Sequence, residues 1–101
     1  MKLIFSSVFE SDFAELVGYF QEQAGGSVSS RFENAVCRLL ELLVRNPKLG
    51  RLRPDLKPDG IRSFVVPGFR NHVIFYRVAG QELCLLRIRF GGMDLPAIFH
   101  S

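Results

Sequence analysis

The stretch from Gly60 to Val78 reads GIRSFVVPGFRNHVIFYRV, and the stretch from Leu83 to Leu95 reads LCLLRIRFGGMDL. Three runs in these stretches are rich in β-branched and aromatic residues, a composition typical of strands. The runs are separated by Pro67-Gly68 and by the segment 79–82 (AGQE), both of which have turn composition. The pattern predicts three consecutive antiparallel strands that carry arginines at intervals.

Side chains alternate between the two faces of a strand, so the last run can be divided into two sets. The set expected to pack on the rest of the domain comprises Cys84, Leu86, Ile88 and Phe90. The set expected on the open face comprises Leu83, Leu85, Arg87 and Arg89. The alternation therefore predicts a sheet that presents cations to a partner.

Two amphipathic helices are predicted ahead of these strands. From Val8 the apolar residues recur at helical spacing until Gly25-Gly26, and the Ser6-Ser7 pair can cap this first helix. A second apolar stripe begins after Ser27 and is stopped by Asn46-Pro47. Residues 2–5 (KLIF) form a short strand candidate before the first helix.

The chain of 101 residues is expected to form one domain, residues 1–101. The predicted fold class is two-layer α+β, with an N-terminal short strand and an αα-hairpin packed on an antiparallel sheet. The expected order is strand, helix, helix, strand, strand, strand. Residues 47–60 carry three prolines and no periodic pattern, and we expect a loop that serves either as a plain tether or in function.

The charge distribution is uneven, although the net charge is only +3. Residues 1–30 hold one basic and four acidic residues, whereas residues 31–101 hold twelve basic and six acidic ones. A basic partner-facing surface is therefore expected in the second half. No apolar run reaches the roughly 20 residues of a membrane span, and no signal peptide is recognisable, so we expect a cytoplasmic protein without membrane contact.

Metal and cofactor sites are not expected. Cys37 and Cys84 lie at apolar-patterned positions without a CxxC or Cys/His spacing, which favours buried free thiols. His72 and His100 are the only histidines, and we interpret both as polar surface residues. Tyr76 is interpreted as structural.

The order of these segments resembles the ParE/RelE superfamily of toxins from type II toxin–antitoxin pairs, with the ParE-like branch the closer one. The segments that carry the resemblance are the helix ends near Gly25 and Asn46-Pro47, the loop 49–56, the strand entry 60–64, the strand 73–78, and 86–88 with 94–95. The resemblance implies a cognate antitoxin as a partner. RelE-like members cleave messenger RNA on the ribosome, whereas ParE-like members poison DNA gyrase.

The residues of the nuclease branch are replaced in this chain. That branch has a cation on the middle strand, another after the last strand, and a late Tyr or His. The resemblance places Val73, Met93 and Phe99 at these positions. These three side chains cannot stabilise the charge of a phosphate or exchange protons. Many ParE-like relatives carry His where Phe90 stands and basic residues where Gly92 and Met93 stand, and this chain departs from them there too. We therefore assign no catalytic residue.

The candidate binding residues for an antitoxin or a target are seven arginines, because guanidinium groups bind carboxylates and phosphates in bidentate fashion. The seven are Arg51, Arg53, Arg62, Arg70, Arg77, Arg87 and Arg89. The alternative interpretation of this set is a solvated, partly salt-bridged sheet face.

Three functional hypotheses follow. The first is a ParE-like toxin that is neutralised by an antitoxin and inhibits DNA gyrase without catalysis. The second is a ribosome-dependent messenger-RNA endoribonuclease in which Arg51, Arg53, Arg62, Arg87 or Arg89 replaces the missing cations. The third is a non-toxic relic that retains only antitoxin binding.

Overall fold

The computed structural model describes residues 1–91, and its two helices lie on one face of a five-stranded sheet. The elements are β1 Lys2–Phe5, α1 Ser7–Ala24, α2 Gly26–Arg45, β2 Arg51–Leu52, β3 Ile61–Val66, β4 Phe69–Ala79 and β5 Glu82–Phe90. The strand order across the sheet is β1-β5-β4-β3-β2. The α+β class and the three consecutive C-terminal strands are as predicted.

The sheet differs from the prediction in two respects. It is mixed rather than antiparallel, because β1 pairs with β5 in parallel, with Ile4 opposite Cys84. The predicted loop also contains the short strand β2, which pairs with β3 through Arg51 opposite Ser63. A run of two residues is too short to show strand alternation in the sequence.

The predicted helix ends are close to the observed ones. Ser6 caps α1, since its Oγ accepts the backbone N–H of Phe9 at 3.0 Å. Gly25 joins the helices with φ at +89°, a region that favours glycine. Because this one residue makes the junction, α2 begins at Gly26, two residues before the apolar stripe.

The prediction of which β5 residues face the helices was wrong for its first half. Opposite β4 the register shifts between Phe75 and Tyr76, which pair with Arg87 and Leu85, so Leu86 is the extra residue of a bulge. A bulge reverses the alternation. Leu83 and Leu85 therefore pack in the helix-facing core together with Ile88, while Leu86 packs on the opposite face.

The main core lies between the helices and the sheet. Its fully buried members include Phe32 and Leu43 from α2 and Ile74 and Tyr76 from β4. A smaller cluster on the other face of the sheet consists of Leu56, Ile61 and Phe75, with Val73 and Leu86 packed against it. Leu56 thus ties the long loop to the sheet face that we expected to be open.

Cys37 and Cys84 are both free thiols, but burial was the wrong prediction for Cys37, which is exposed on α2. No helix within residues 1–91 is long and apolar enough to cross a membrane.

Candidate functional site

A buried carboxylate binds both arginines of β5. Arg87 donates to Asp12 of α1 through Nε at 2.7 Å and through Nη2 at 3.0 Å, and Arg89 donates through Nη1 at 3.1 Å. The backbone N–H of Ile88, which lies between the two arginines, donates to the same carboxylate at 3.2 Å. The Asp12 side chain is only 6% exposed, so these bonds are what allows a charge to be buried there.

Asp12 occupies the edge of β5 where β1 has ended. Ser6, just after β1, donates its N–H to Leu85 and its Oγ to the carbonyl of Leu86. Asp12 then accepts the N–H of Ile88. The side chains of Ser6 and Asp12 therefore bond to the edge of β5 beyond the point where its pairing with β1 stops. Arg87 and Arg89 stand opposite Phe75 and Val73, on the sheet face away from the helices as predicted. Their guanidinium groups nevertheless reach around the β5 edge and bond to α1.

The start of the long loop is held by Tyr76. Its hydroxyl accepts the N–H of Gly50 at 2.8 Å and donates to the carbonyl of Pro47 at 2.9 Å. A Cβ added at Gly50 would lie 2.6 Å from that hydroxyl oxygen, so only glycine fits this close approach. Burial raises the pKa of Tyr76, and the neutral phenol keeps the proton that it donates.

Arg62 also holds this turn, because its Nη1 donates to the carbonyl of Gly50 at 2.8 Å and to that of Lys48 at 3.3 Å. Arg77 donates its Nε to the carbonyl of Asp59 at 2.8 Å, at the end of the same loop. Both arginines thus bond to backbone oxygens of the loop.

Arg53 is bonded within the loop and to the sheet. Its guanidinium forms a bidentate pair with Asp55, with distances of 3.0 and 2.8 Å, and reaches Ser63 Oγ at 3.3 Å. It also lies 5.8 Å above the centre of the Phe75 ring. The hydrogen bond from Arg53 lowers the pKa of Asp55, so this pair stays ionised well into the acid range.

The remaining two candidates, Arg51 and Arg70, are exposed. Within residues 1–91 neither side chain forms a hydrogen bond or an ion pair. Arg51 lines a groove of about 420 Å³ together with Arg53, Leu49 and Val65. The structure thus divides the seven arginines into five that are bonded within the protein and two that face solvent.

His72 is half-buried against an aromatic cluster, so its interpretation as a polar surface residue was wrong in its surroundings. Its ring is 5.3 to 6.5 Å from the rings of Phe20, Phe32, Phe69 and Phe90. Its Nδ1 is buried without a hydrogen-bond partner within residues 1–91, and burial lowers the pKa of the imidazole. The neutral form is therefore the one that this site accepts.

A groove of about 530 Å³ runs beside this cluster, between α1 and the end of β5. Its lining includes the apolar Leu16 and Phe90, Tyr19, and the charged Glu15 and Arg89. Tyr19 and Phe90 are 56% and 47% exposed, so apolar surface is accessible here. Sequence alternation had placed Phe90 in the core.

Of the positions compared with the nuclease branch, Val73 is in β4, opposite Val65 and Arg89. Gly92, Met93, Phe99 and His100 lie outside the described residues. Asp12 is the residue that sequence reasoning missed, because an acidic residue in the early turns of a helix is ordinarily explained by the helix dipole alone. The available signal was its place among Phe9, Phe13 and Leu16, on the apolar face of α1.

The described residues thus form a helical hairpin on a small mixed sheet, with arginines on the last strands and an apolar groove beside α1. The family model for the ParE toxin of the type II toxin–antitoxin system parDE matches residues 3–95. The chain therefore belongs to the ParE toxin family.

Individual relatives agree with this assignment. Toxin ParE3 of Caulobacter vibrioides is 37% identical over 76 residues, which are 75% of this chain and 72% of that protein. Among solved structures, the chromosomal ParDE toxin–antitoxin system from P. aeruginosa gives a TM-score of 0.73 at 21% identity and covers 89% of this chain and 95% of that one. A YoeB/ParE toxin from Agrobacterium tumefaciens gives 0.59 at 25% identity and covers 89% and 98%.

Proposed function

We propose that this chain is a toxin that a cognate antitoxin neutralises and that inhibits DNA gyrase by binding it, without catalysis of its own. The observation that carries the proposal is the family match over residues 3–95. The antitoxin is expected to be acidic, since the second half of the chain is basic. Toxin and antitoxin are expected to meet in the cytoplasm, where gyrase works.

The bonding of the arginines supports a binding role over phosphate chemistry. Four of the five arginines that could replace the nuclease cations already donate to groups of the protein, namely Arg53, Arg62, Arg87 and Arg89. A phosphate would have to displace Asp12 from two of them, in a site where the carboxylate is buried. Transition-state stabilisation is strongest from donors that are already free and oriented.

A supercoiling assay tests the gyrase proposal. Purified gyrase and relaxed plasmid are incubated with a micromolar excess of the chain, and we expect loss of supercoiling and accumulation of cleaved DNA. Addition of the antitoxin in equimolar amount is expected to restore supercoiling. Full supercoiling in the presence of active, folded toxin would overturn the proposal.

One feature favours the endoribonuclease as a second candidate. Arg51 and Arg53 line the same groove, and the Arg51 side chain faces solvent, so an anion could bind there. The test is a translation reaction with programmed ribosomes, in which codon-positioned cleavage of the messenger RNA is mapped by primer extension. Cleavage that Arg51→Ala abolishes would establish this candidate, and intact messenger RNA would exclude it.

Induction of the chain alone in bacteria addresses the remaining hypothesis. Early loss of DNA synthesis with filamentous cells is expected for a gyrase inhibitor. Immediate arrest of translation is expected for the nuclease. Normal growth, with the folded protein present, would identify a relic that binds an antitoxin and nothing else.

A further inference from the structure

The ladder between β2 and β3 stops before β3 ends. Arg53 donates its N–H to the carbonyl of Ile61 at 2.8 Å, and Arg51 stands opposite Ser63. Backbone groups of alternate residues point to the same edge of a strand, so Val65 directs its N–H and carbonyl to the side of Ile61 and Ser63. β2 begins only at Arg51, opposite Ser63, and therefore does not reach Val65.

The loop turns away from this position instead of pairing with it. Leu49 would stand opposite Val65 if the register of Arg51 and Ser63 continued, but its N–H donates to the carbonyl of Asn46 at 2.9 Å. Val65 is 41% exposed and Leu49 is 44% exposed, and both line the groove of about 420 Å³. The edge of β3 at Val65 is therefore accessible, and apolar surface lies beside it.

Cations line two grooves near this edge. Arg51 and Arg53 line the groove next to Val65. A second groove, of about 290 Å³, lies between α2 and the turn that follows β3, and Arg31 and Arg38 line it. Asp55 is paired with Arg53, whereas Arg31, Arg38 and Arg51 form no ion pair within residues 1–91.

The outer edge of β1, on the opposite side of the sheet, also directs backbone groups outward, at Leu3 and Phe5, but within residues 1–91 the cluster of cations found at β3 is not repeated there. On the outer edge of β1 the cation is Lys2, and the nearby groove against Phe5 and Phe9 includes the acidic Glu10. Beyond β1, the edge of β5 is occupied by Ser6 and Asp12. An acidic segment is therefore favoured at β3.

We propose that a short, extended, acidic segment of the partner pairs with the outer edge of β3 at Val65. Its main chain bonds to the N–H and carbonyl of Val65, an apolar side chain covers Val65 and Leu49, and nearby carboxylates bind Arg51 and Arg38. The pairing is short, because Pro67 has no N–H to extend it. This inference rests on the proposed function, in which the partner is the antitoxin.

The test is the substitution Val65→Pro, which removes an N–H that the free domain does not use. Proline is tolerated at the outward position of an edge strand, and circular dichroism and thermal melting confirm the fold. Two matched controls are Val65→Thr, which keeps the N–H, and Phe5→Pro, which removes an N–H pointing outward from β1. The probe is the antitoxin co-purified with the wild-type chain from its native host, and dissociation constants are measured by calorimetry.

We expect Val65→Pro to weaken binding at least tenfold, and Val65→Thr and Phe5→Pro to change it less than threefold. Hydrogen exchange of the Val65 amide should slow at least tenfold in the wild-type complex. Wild-type affinity in Val65→Pro, or loss of binding only in Phe5→Pro, would overturn the inference and leave the proposed function intact. So would weakening by Arg51→Ala and Arg38→Ala without any effect of Val65→Pro, since side chains alone would then make the contact. If the wild-type chain binds no antitoxin, both proposals fail.

Discussion

The two edges of the sheet use arginine in opposite ways. At the β5 edge, Arg87 and Arg89 bond to Asp12, whose side chain is 6% exposed. At the β3 edge, Arg51 faces solvent beside an accessible backbone. Arginine side chains thus occupy the β5 edge and leave the β3 edge accessible. The difference is that a buried carboxylate binds the arginines of β5, whereas none among the described residues binds Arg51. Residue type alone thus does not distinguish a binding surface from a structural contact.

Removal of the carboxylate at the closed edge is expected to have the largest effect. Asp12→Ala leaves two guanidinium groups without their counter-ion and the N–H of Ile88 without its acceptor, and breaking a buried pair in this way costs about 3 to 5 kcal/mol. Urea-induced unfolding measures the loss. The control Glu15→Ala, on the exposed part of the same helix, should change stability by less than about 0.5 kcal/mol. Equal stability of the two variants would show that the β5 edge is not held by Asp12.

Removal of the hydroxyl that holds the loop near the open edge is expected to have the second largest effect. Tyr76→Phe leaves the N–H of Gly50 and the carbonyl of Pro47 without their partner, at a cost of about 1 to 3 kcal/mol. Amide exchange in residues 48–52 should accelerate together with the loss of stability. Tyr19→Phe is the matched control, since Tyr19 is 56% exposed and should lose almost nothing. Unchanged exchange in the loop would show that Tyr76 does not hold it.

The third largest effect is expected from protonation of His72 in the aromatic cluster, which should lower the stability of the fold at acidic pH. Burial lowers the folded-state pKa of His72 below its ordinary value of 6.5, so the unfolded chain binds more protons between the two pKa values. Stability should therefore be complete above pH 6.5 and fall as the pH decreases through the folded-state pKa. Unfolding curves between pH 7.5 and 5.5 measure this slope, and His72→Phe, which suits the surrounding phenylalanines, should flatten it. An unaltered slope would assign the titration to another group.

The smallest effect is expected at the exposed cations. Arg51→Ala and Arg70→Ala remove side chains that form no ion pair within residues 1–91, and each should change the free energy of unfolding by less than about 0.5 kcal/mol. Arg87→Ala, measured in the same way, should be clearly destabilising because it leaves Asp12 with fewer donors. If the three variants proved equally stable, the contrast between the two edges would be lost.

Much of the architecture could be predicted because its signals are local. Apolar spacing predicted both helices, and Pro67-Gly68 and the segment 79–82 predicted the turns between the last three strands. The bulge at Leu86 could not be predicted, because a single extra residue leaves no mark on composition, yet it exchanges the faces of Leu83 to Leu86. The burial of Leu56 depends in the same way on where the long loop lies across the sheet.

The candidate site was predictable only as a set of residues. The seven arginines were recognisable from their side-chain chemistry, but their partners lie far away in the chain. Asp12 and Arg87 are 75 residues apart, and Gly50 and Tyr76 are 26 apart. No local pattern encodes such a pairing. A carboxylate on the apolar face of α1 was the one hint that a buried cation had to reach it.

The amino-acid sequence by itself determined the fold class of this domain, its helices and turns, and the excess of cations in its second half. It also determined membership of the ParE toxin family. These properties follow from short-range patterns and from the order of the motifs. Only the tertiary structure decided which arginines remain available to a partner. A guanidinium group is hydrogen-bonded within the protein only when the fold brings a carboxylate or carbonyl oxygen within about 3 Å of it. That distance depends on the register and packing of segments that are far apart in the sequence.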